Sequence, residues 1–187
     1  MRGIDLRTGW HDVSKTSSKA LLSLGSNIDA ERNLRSAFAA LRERFGDVAM
    51  SMVYRFPAVG FDGPDFLNAG AVVESDLDPF ALNDWLHALE DAHGRDRSGP
   101  RFGDRPLDID IVFFDDLVLS GPGHLQLPRD ELKHAFVLRP LAEIAPDFVD
   151  PRSGRTLTAL WADSAEREVA CEAAFDPVLV PVPDRHG

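Results

Sequence analysis

A glycine- and proline-bearing loop with four arginines, Arg95, Arg97, Arg101 and Arg105, runs directly into the segment Leu107-Asp108-Ile109-Asp110-Ile111. In a β-strand residues i and i+2 share a face and lie roughly 6.5–7 Å apart. Asp108 and Asp110 therefore project together, while Leu107, Ile109 and Ile111 turn towards a core. Two carboxylates on one face can hold hard cations. Magnesium takes oxygen ligands, commonly one or two carboxylates plus substrate phosphates, and paired ions about 3.5–4 Å apart clamp both ends of a phosphoryl displacement. Guanidinium forks match phosphate oxygens bidentately, so loop and strand together suit a metal-bound polyphosphate. The competing reading is a solvated loop whose arginines pair with Asp91, Asp96 and Asp104, with one aspartate as an edge-strand charge.

The 187 residues fit one domain, read as a polar lead-in over 1–19 and a single domain over 20–187. The net charge of −11 disfavours broad contact with nucleic acid or anionic membranes, which confines any positive field to the arginine loop. Cys171 is the only cysteine, which excludes an intramolecular disulfide and a cysteine-based zinc cluster and fits a cytoplasmic protein. No run approaches the roughly 18 apolar residues of a membrane span, and residues 1–19 lack the apolar stretch of a signal peptide.

Residues 20–24 form an apolar run ending in Gly25-Ser26-Asn27, a buried strand leaving through a turn. Leu34, Ala37, Phe38, Leu41 and Phe45 recur at helical spacing over 30–45, with Asn27 or Asp29 as the cap and Gly46 as the stop. Strands are predicted over 48–56 and 66–75, antiparallel and joined by an irregular loop at 57–64. Pro79 opens a second helix, which runs to His93 and stops at Gly94. Residues 107–114 are the fourth strand. This order is the βαββαβ pattern of an α+β, ferredoxin-like core: an antiparallel sheet with both helices on one face. Beyond it the spacing predicts a hairpin from 117–119 and 125–127, a helix over 137–144, a helical turn at 157–161 and an edge strand at 178–180.

Taken in order, these motifs resemble the 6-hydroxymethyl-7,8-dihydropterin pyrophosphokinase family. The matching pieces are Leu24-Gly25-Ser26-Asn27; Tyr54-Arg55 with Val59-Gly60-Phe61; Pro64-Asp65-Phe66-Leu67-Asn68-Ala69; Gly94-Arg95-Asp96-Arg97; Arg101 through Ile111; and Ala135-Phe136-Val137-Leu138-Arg139-Pro140-Leu141 with Glu143-Ile144-Ala145-Pro146. The resemblance implies pyrophosphate transfer from ATP to a pterin hydroxymethyl group, giving AMP, in folate biosynthesis. It implies that Asp108 and Asp110 ligate two magnesium ions and that Arg95 and Arg105 contact the phosphates and assist transfer. Arg97, Arg101, Glu90 and Ile111 would lie at the nucleotide. Asn68 would hydrogen-bond the pterin, Phe66 and Phe136 would sandwich it, and Pro57 and Val59 would reach it from their loop. The implied partners are the two small molecules, with the chain a monomer or weak dimer.

Several positions depart from the family pattern. Phe56 stands where a threonine is common, and the stretch before Pro64 is one residue short. Phe102 replaces a tryptophan, keeping an apolar anchor without the indole donor. The segment 127–134 lacks the usual Pro-His step, and His134 falls where the family has an arginine. Arg129 and Lys133, in the same loop, are the candidates to replace that charge at the ATP. The altered loops also allow a second reading, a paralogue that binds a pterin or nucleotide without efficient turnover. A ferredoxin-like nucleic-acid binder is excluded by charge and by the lack of an exposed aromatic strand pattern. Taken alone, Phe66 and Phe136 read as core aromatics, Glu90 as a helix-surface charge, and His87 and His93 as solvated helix residues.

Overall fold

A computed structural model describes residues 16–98, 103–121 and 125–178. The expectations for Arg101 and Phe102, the hairpin tip at 122–124, residues 179–180 and most of the polar lead-in fall outside these ranges.

Strand β1 (Ser18–Ser26) begins two residues before its apolar run, and its inner residues are buried on both faces. Helix α1 spans Ala30–Phe45, with Leu34, Ala37, Phe38 and Leu41 buried as the 3.6-residue period requires. Neither expected side chain caps it. Asp29 sits at the N-cap in the left-handed region with no side-chain cap bond, and Asn27 is engaged elsewhere.

The strand expected over 48–56 is two strands, β2 (Ala49–Met50) and β3 (Val53–Phe56), both paired with β4 (Phe66–Ser75). The pairing shifts by one residue between them, from Met50 opposite Ala71 to Tyr54 opposite Asn68. Ser51 is the cause: its main-chain N–H donates to Gly70 O at 3.0 Å and its Oγ accepts from Gly70 N–H at 2.8 Å. Met52 N–H then leaves the ladder for Glu143 Oε1 at 2.9 Å. An alternation pattern does not reveal a hydroxyl that takes over a ladder bond.

Helix α2 (Pro79–Ala92) has Pro79 in its first turn and Asp78 as N-cap, accepting from Ala81 N–H at 2.8 Å. His93 is half-buried rather than solvated. Its Nδ1 lies 2.7 Å from Leu89 O and its Nε2 2.9 Å from Ser36 Oγ, which ties the end of α2 to α1.

Strand β5 (Asp108–Phe114) completes the core. The short strands β6 (Leu119–Ser120) and β7 (Gln126–Leu127) pair where a hairpin is expected, followed by a 3-10 turn at Asp130–Lys133, helix α3 (Ala135–Ile144) and helix α4 (Leu157–Ala162). The last edge strand among the described residues is β8 (Glu172–Phe175), which pairs with β3. Val178 lies in a turn.

The main sheet is antiparallel, in the order β5-β1-β4-β3-β8. Helices α1 and α2 cover one face, where Leu34, Leu41, Leu82 and Leu86 pack on Leu22, Leu24, Ile109 and Ile111. The opposite face is covered too: α3 lays Val137, Leu138 and Leu141 on Leu21, Val112 and Phe113. Gly70 permits that approach, because a Cβ there would come within 2.9 Å of Leu141. The sheet face beyond the N-terminal end of α3 carries the polar residues of β1, β4 and β5.

Candidate active site

Strand β1 is the spine of the site. Gly25 pairs with Asn68 on β4 and with Asp108 on β5, and Ser23 pairs with Gly70 on one side and Asp110 on the other. Because Leu22 and Leu24 face the α1–α2 core, strand period places Ser23 and Gly25 on the opposite face, with Asn68 and Asp108 about two strand spacings, or roughly 10 Å, apart. Gly25 leaves room at the centre, where a Cβ would come within 2.8 Å of Asn68 Nδ2 and 3.7 Å of the Phe66 ring.

A cleft of about 1020 Å³ opens over this floor, larger than an ordinary single-ligand pocket. Its charged side carries Arg95, Arg105, Asp108, Asp110, Arg129 and Lys133; its apolar side carries Pro57, Val59, Phe66 and Phe136, with Asn68. Arg97, Glu90 and Ile111 do not line it. Ile111 is a core residue, 1% exposed.

The charged side is a network in which every described arginine has a carboxylate. Arg95 Nη1 donates to Asp108 Oδ1 and lies 3.2 Å from Glu90 Oε1, and Arg105 Nη1 lies 3.1 Å from Asp108 Oδ2. Arg129 Nη1 is 3.5 Å from Asp110 Oδ1, with Nε 3.3 Å from Glu131. Arg97 reaches Glu90 at 2.9 Å and the exposed Asp91 at 3.0 Å, so the loop-pairing reading describes this arginine. Glu90 is not a surface charge. It is 1% exposed and accepts from Ile109 N–H at 2.7 Å, joining α2 to the strand that carries both aspartates.

Burial pushes the Glu90 carboxyl up to about 7, the negative charge of Asp108 adds to the rise, and the Ile109 N–H and both arginines oppose it. Burial works against ionised Asp108 as well, but Arg95 and Arg105 prevail and hold it below the usual carboxylate range. Asp110 is pushed up to about 7 by burial and then by Asp108, against the pull of Arg129. The two carboxylates on one face thus differ: the arginines hold Asp108 charged, while burial and its neighbour weaken the hold of Asp110 on its charge.

Asn27 fixes the arginine loop. Its Oδ1 accepts from Arg105 N–H at 2.6 Å, its Nδ2 donates to Asp104 at 2.9 Å, and its own N–H donates to Arg105 O at 3.0 Å. Ser26 Oγ donates to Pro106 O at 2.6 Å. The Gly25-Ser26-Asn27 turn therefore clamps the loop to β1, a role that the sequence reading, which offered Asn27 as a helix cap, does not contain.

On the other side, Asn68 Oδ1 is buried without a hydrogen-bond partner among the described residues, a state that in a folded protein points to a ligand or water. Phe66 stands edge-on to Phe61, ring centroids 6.2 Å apart at 89°. Phe136 is stacked on His134. Ser23, Phe61, Gly121 and Gln126 line the cleft as well and are not among the site residues expected from sequence. Ser23 was within reach, since it alternates with Leu22 and Leu24 and so shares the polar face of β1. Gly121 and Gln126 arrive through tertiary packing that no local pattern encodes.

The profile of the 7,8-dihydro-6-hydroxymethylpterin-pyrophosphokinase (HPPK) family matches residues 21–146. The chain belongs to this family. As an HPPK chain it is 39% identical over 175 residues to the 2-amino-4-hydroxy-6-hydroxymethyldihydropteridine pyrophosphokinase of Synechocystis sp., a match covering 87% of this chain and 89% of that protein. The Pseudomonas aeruginosa protein of the same name is 38% identical over 149 residues, covering 77% and 90%. The fold is similar to that of Plasmodium falciparum HPPK-DHPS, with a TM-score of 0.63 at 14% identity. That match covers 81% of this chain and 45% of the solved one, so the chain spans less than half of that structure.

Proposed function

We propose that this chain transfers the pyrophosphoryl group of ATP to the hydroxymethyl oxygen of 6-hydroxymethyl-7,8-dihydropterin, releasing AMP, a step of folate biosynthesis. The observation that carries this reading is one cleft whose two walls, Asn68 with the aromatics and Asp108–Asp110 with the arginines, meet at Gly25. A flat heteroaromatic acceptor suits the first wall, and a polyphosphate suits the second.

The donor set fits magnesium: oxygen ligands only, two carboxylates on one face, and room for phosphates to complete the shell. We read Asp108 and Asp110 as the holders of two ions, which when bound neutralise the charge that builds on the phosphates. Arg95 and Arg105 would turn from Asp108 to phosphate oxygens, and Arg129 and Lys133 would meet the nucleotide from the same charged wall. Glu90 and Arg97 act from behind, fixing β5 and the arginine loop. Phe66 and Phe136 hold the acceptor ring flat, with Pro57 and Val59 at its edge, and Asn68 orients it through the amide. The acceptor hydroxyl attacks the β-phosphorus in line: its oxygen forms the new P–O bond, the bond from the β-phosphorus to the bridging oxygen breaks, AMP departs with that oxygen, and the hydroxyl proton passes to water. Positioning and charge neutralisation supply the catalysis.

The strand order β5-β1-β4-β3 supports reading the core as ferredoxin-like, with the hairpin and helices after β5 as an extension of one domain. The single cysteine supports a cytoplasmic setting, and we read the chain as a monomer or weak dimer. Incubation with magnesium, ATP and the pterin tests the function. AMP and the pterin diphosphate should form together; pterin binding without AMP would identify a binding paralogue instead.

A further inference from the structure

His134 is the N-cap residue of α3 and lines the cleft that holds Asp108 and Asp110. Its ring lies nearly parallel to Phe136, with centroids 5.1 Å apart and planes at 10°. Nδ1 is 2.9 Å from Glu166 Oε1, and Glu166 Oε2 accepts from Ala135 N–H at 2.7 Å. The carboxylate thus grips both the imidazole and the first amide of the helix that carries it. Glu166 lies beyond α4, outside the 21–146 span matched by the family profile, so the histidine is oriented by this chain's C-terminal segment.

A carboxylate at Nδ1 places a proton on that nitrogen, and Nε2 has no hydrogen-bond partner among the described residues. The arginines of the cleft are matched by carboxylates of the same cleft, Arg95 and Arg105 by Asp108 and Arg129 by Asp110 and Glu131. His134 differs, because its partner does not line that cleft. Glu166 is itself held charged: burial works against it, but Ala135 N–H and His134 keep it below the usual carboxylate range.

We propose that His134 is a phosphate-contacting residue that donates from Nε2 to the polyphosphate substrate as an imidazolium, with Glu166 as the positioning residue that orients it. This rests on the transfer reaction proposed above. Glu166, from the segment after α4, contacts the imidazole, and the charged groups that share its cleft are Arg129, Asp130, Glu131 and Lys133 from the turn before α3, Arg95 and Arg105 from the arginine loop, and Asp108 and Asp110 on β5. A bound polyphosphate adds negative charge to this set and favours the cationic ring. An imidazolium can lose its charge, where an arginine would be permanently charged.

The test follows AMP formation across pH for the wild type, H134N, H134R, E166Q and the H134R/E166Q double variant. Wild-type kcat/KM for ATP should fall as pH rises, in a limb that depends on His134. H134R should flatten that limb. H134N should lose roughly ten- to a hundredfold at the acid end, the value of a hydrogen bond to a charged group. E166Q should lower kcat/KM at the acid end in the wild-type background but cost little in the H134R background, whereas a merely structural role for Glu166 would cost the same in both. An H134N profile superimposable on the wild type overturns the proposal, as does a limb that rises with pH and depends on His134, the signature of a proton acceptor. If the wild type makes no AMP, the transfer reading fails, and the histidine is judged separately by the imidazole nitrogen resonances on titration with magnesium and ATP. A shift of Nε2 of His134 sustains the contact, and its absence overturns it.

Discussion

Gly25 stands opposite Asn68 in the β1–β4 ladder, so near that a Cβ on Gly25 would come within 2.8 Å of Asn68 Nδ2. The clash falls on the tip of a side chain, which can swing aside at little cost to the fold. The amide is also the group that would orient the acceptor, and Asn68 Oδ1 is kept buried without a partner. Gly25→Ala should therefore leave the thermal midpoint nearly unchanged while raising the acceptor KM about tenfold, the loss of one well-made hydrogen bond. Steady-state kinetics with the pterin varied, set beside a thermal melt, checks this. A large fall in midpoint with unchanged KM would mean that the glycine serves packing instead.

Glu90 supports a comparison of two substitutions. Glu90→Ala leaves Ile109 N–H unsatisfied at the start of the aspartate strand, while Arg95 keeps Asp108 and Arg97 keeps Asp91. The expected cost is about 1–3 kcal/mol, that of an orphaned buried donor rather than of a stranded charge. Glu90→Gln retains an acceptor for Ile109 and should cost less than half as much. Urea denaturation of the two variants measures both, and equal losses would assign the stability to the carboxylate charge.

Period and stop signals place α1 and α2 closely, since Leu34, Phe38 and Leu41 on the first and Leu82 and Leu86 on the second recur at one-turn spacing and Gly46 and Gly94 follow. Asp108 and Asp110 are legible for the same reason: alternation in a strand is a local property. Where a side chain acts at long range the pattern is silent. Ser51 breaks the second strand by entering the ladder itself, and Asn27 leaves the helix cap for a loop 78 residues on. Glu90 looks solvated because a charge in helical sequence usually is, and only the approach of β5 buries it. The Glu166–His134 contact joins residues 32 apart across α3 and α4, and no spacing rule reaches it.

The two aspartates should differ in what they do for the fold while both remain essential to turnover. Asp108 is held charged by two arginines, whereas Asp110 is pushed up to about 7 with one guanidinium at 3.5 Å. Asp108→Asn takes the charge from a carboxylate the fold keeps ionised, and Asp110→Asn from one already inclined to be neutral. Without magnesium, the melting point should fall further for Asp108→Asn. Both variants should lose about 10²–10³-fold in AMP formation, as when a group that stabilises transition-state charge is removed. Equal melting points would contradict the assigned asymmetry.

Tyr54 gives the fold an alkaline signature away from the cleft floor. Its hydroxyl donates to Glu143 and the Arg139 guanidinium lies 4.6 Å from its ring centroid. Burial, followed by the hydrogen bond and negative charge of Glu143, raises the phenol from 10.0 to about 12. A raised folded pKa means that the folded state holds the proton more tightly than the unfolded chain does. The resulting stability is whole below pH 10, and is lost as pH climbs through about 12. Tyr54→Phe removes the titrating group, so the wild type's advantage in urea midpoint over Tyr54→Phe should shrink as pH rises from 10 to about 12. A difference that stays constant across that interval would show that the Tyr54–Glu143 bond does not hold the phenol neutral.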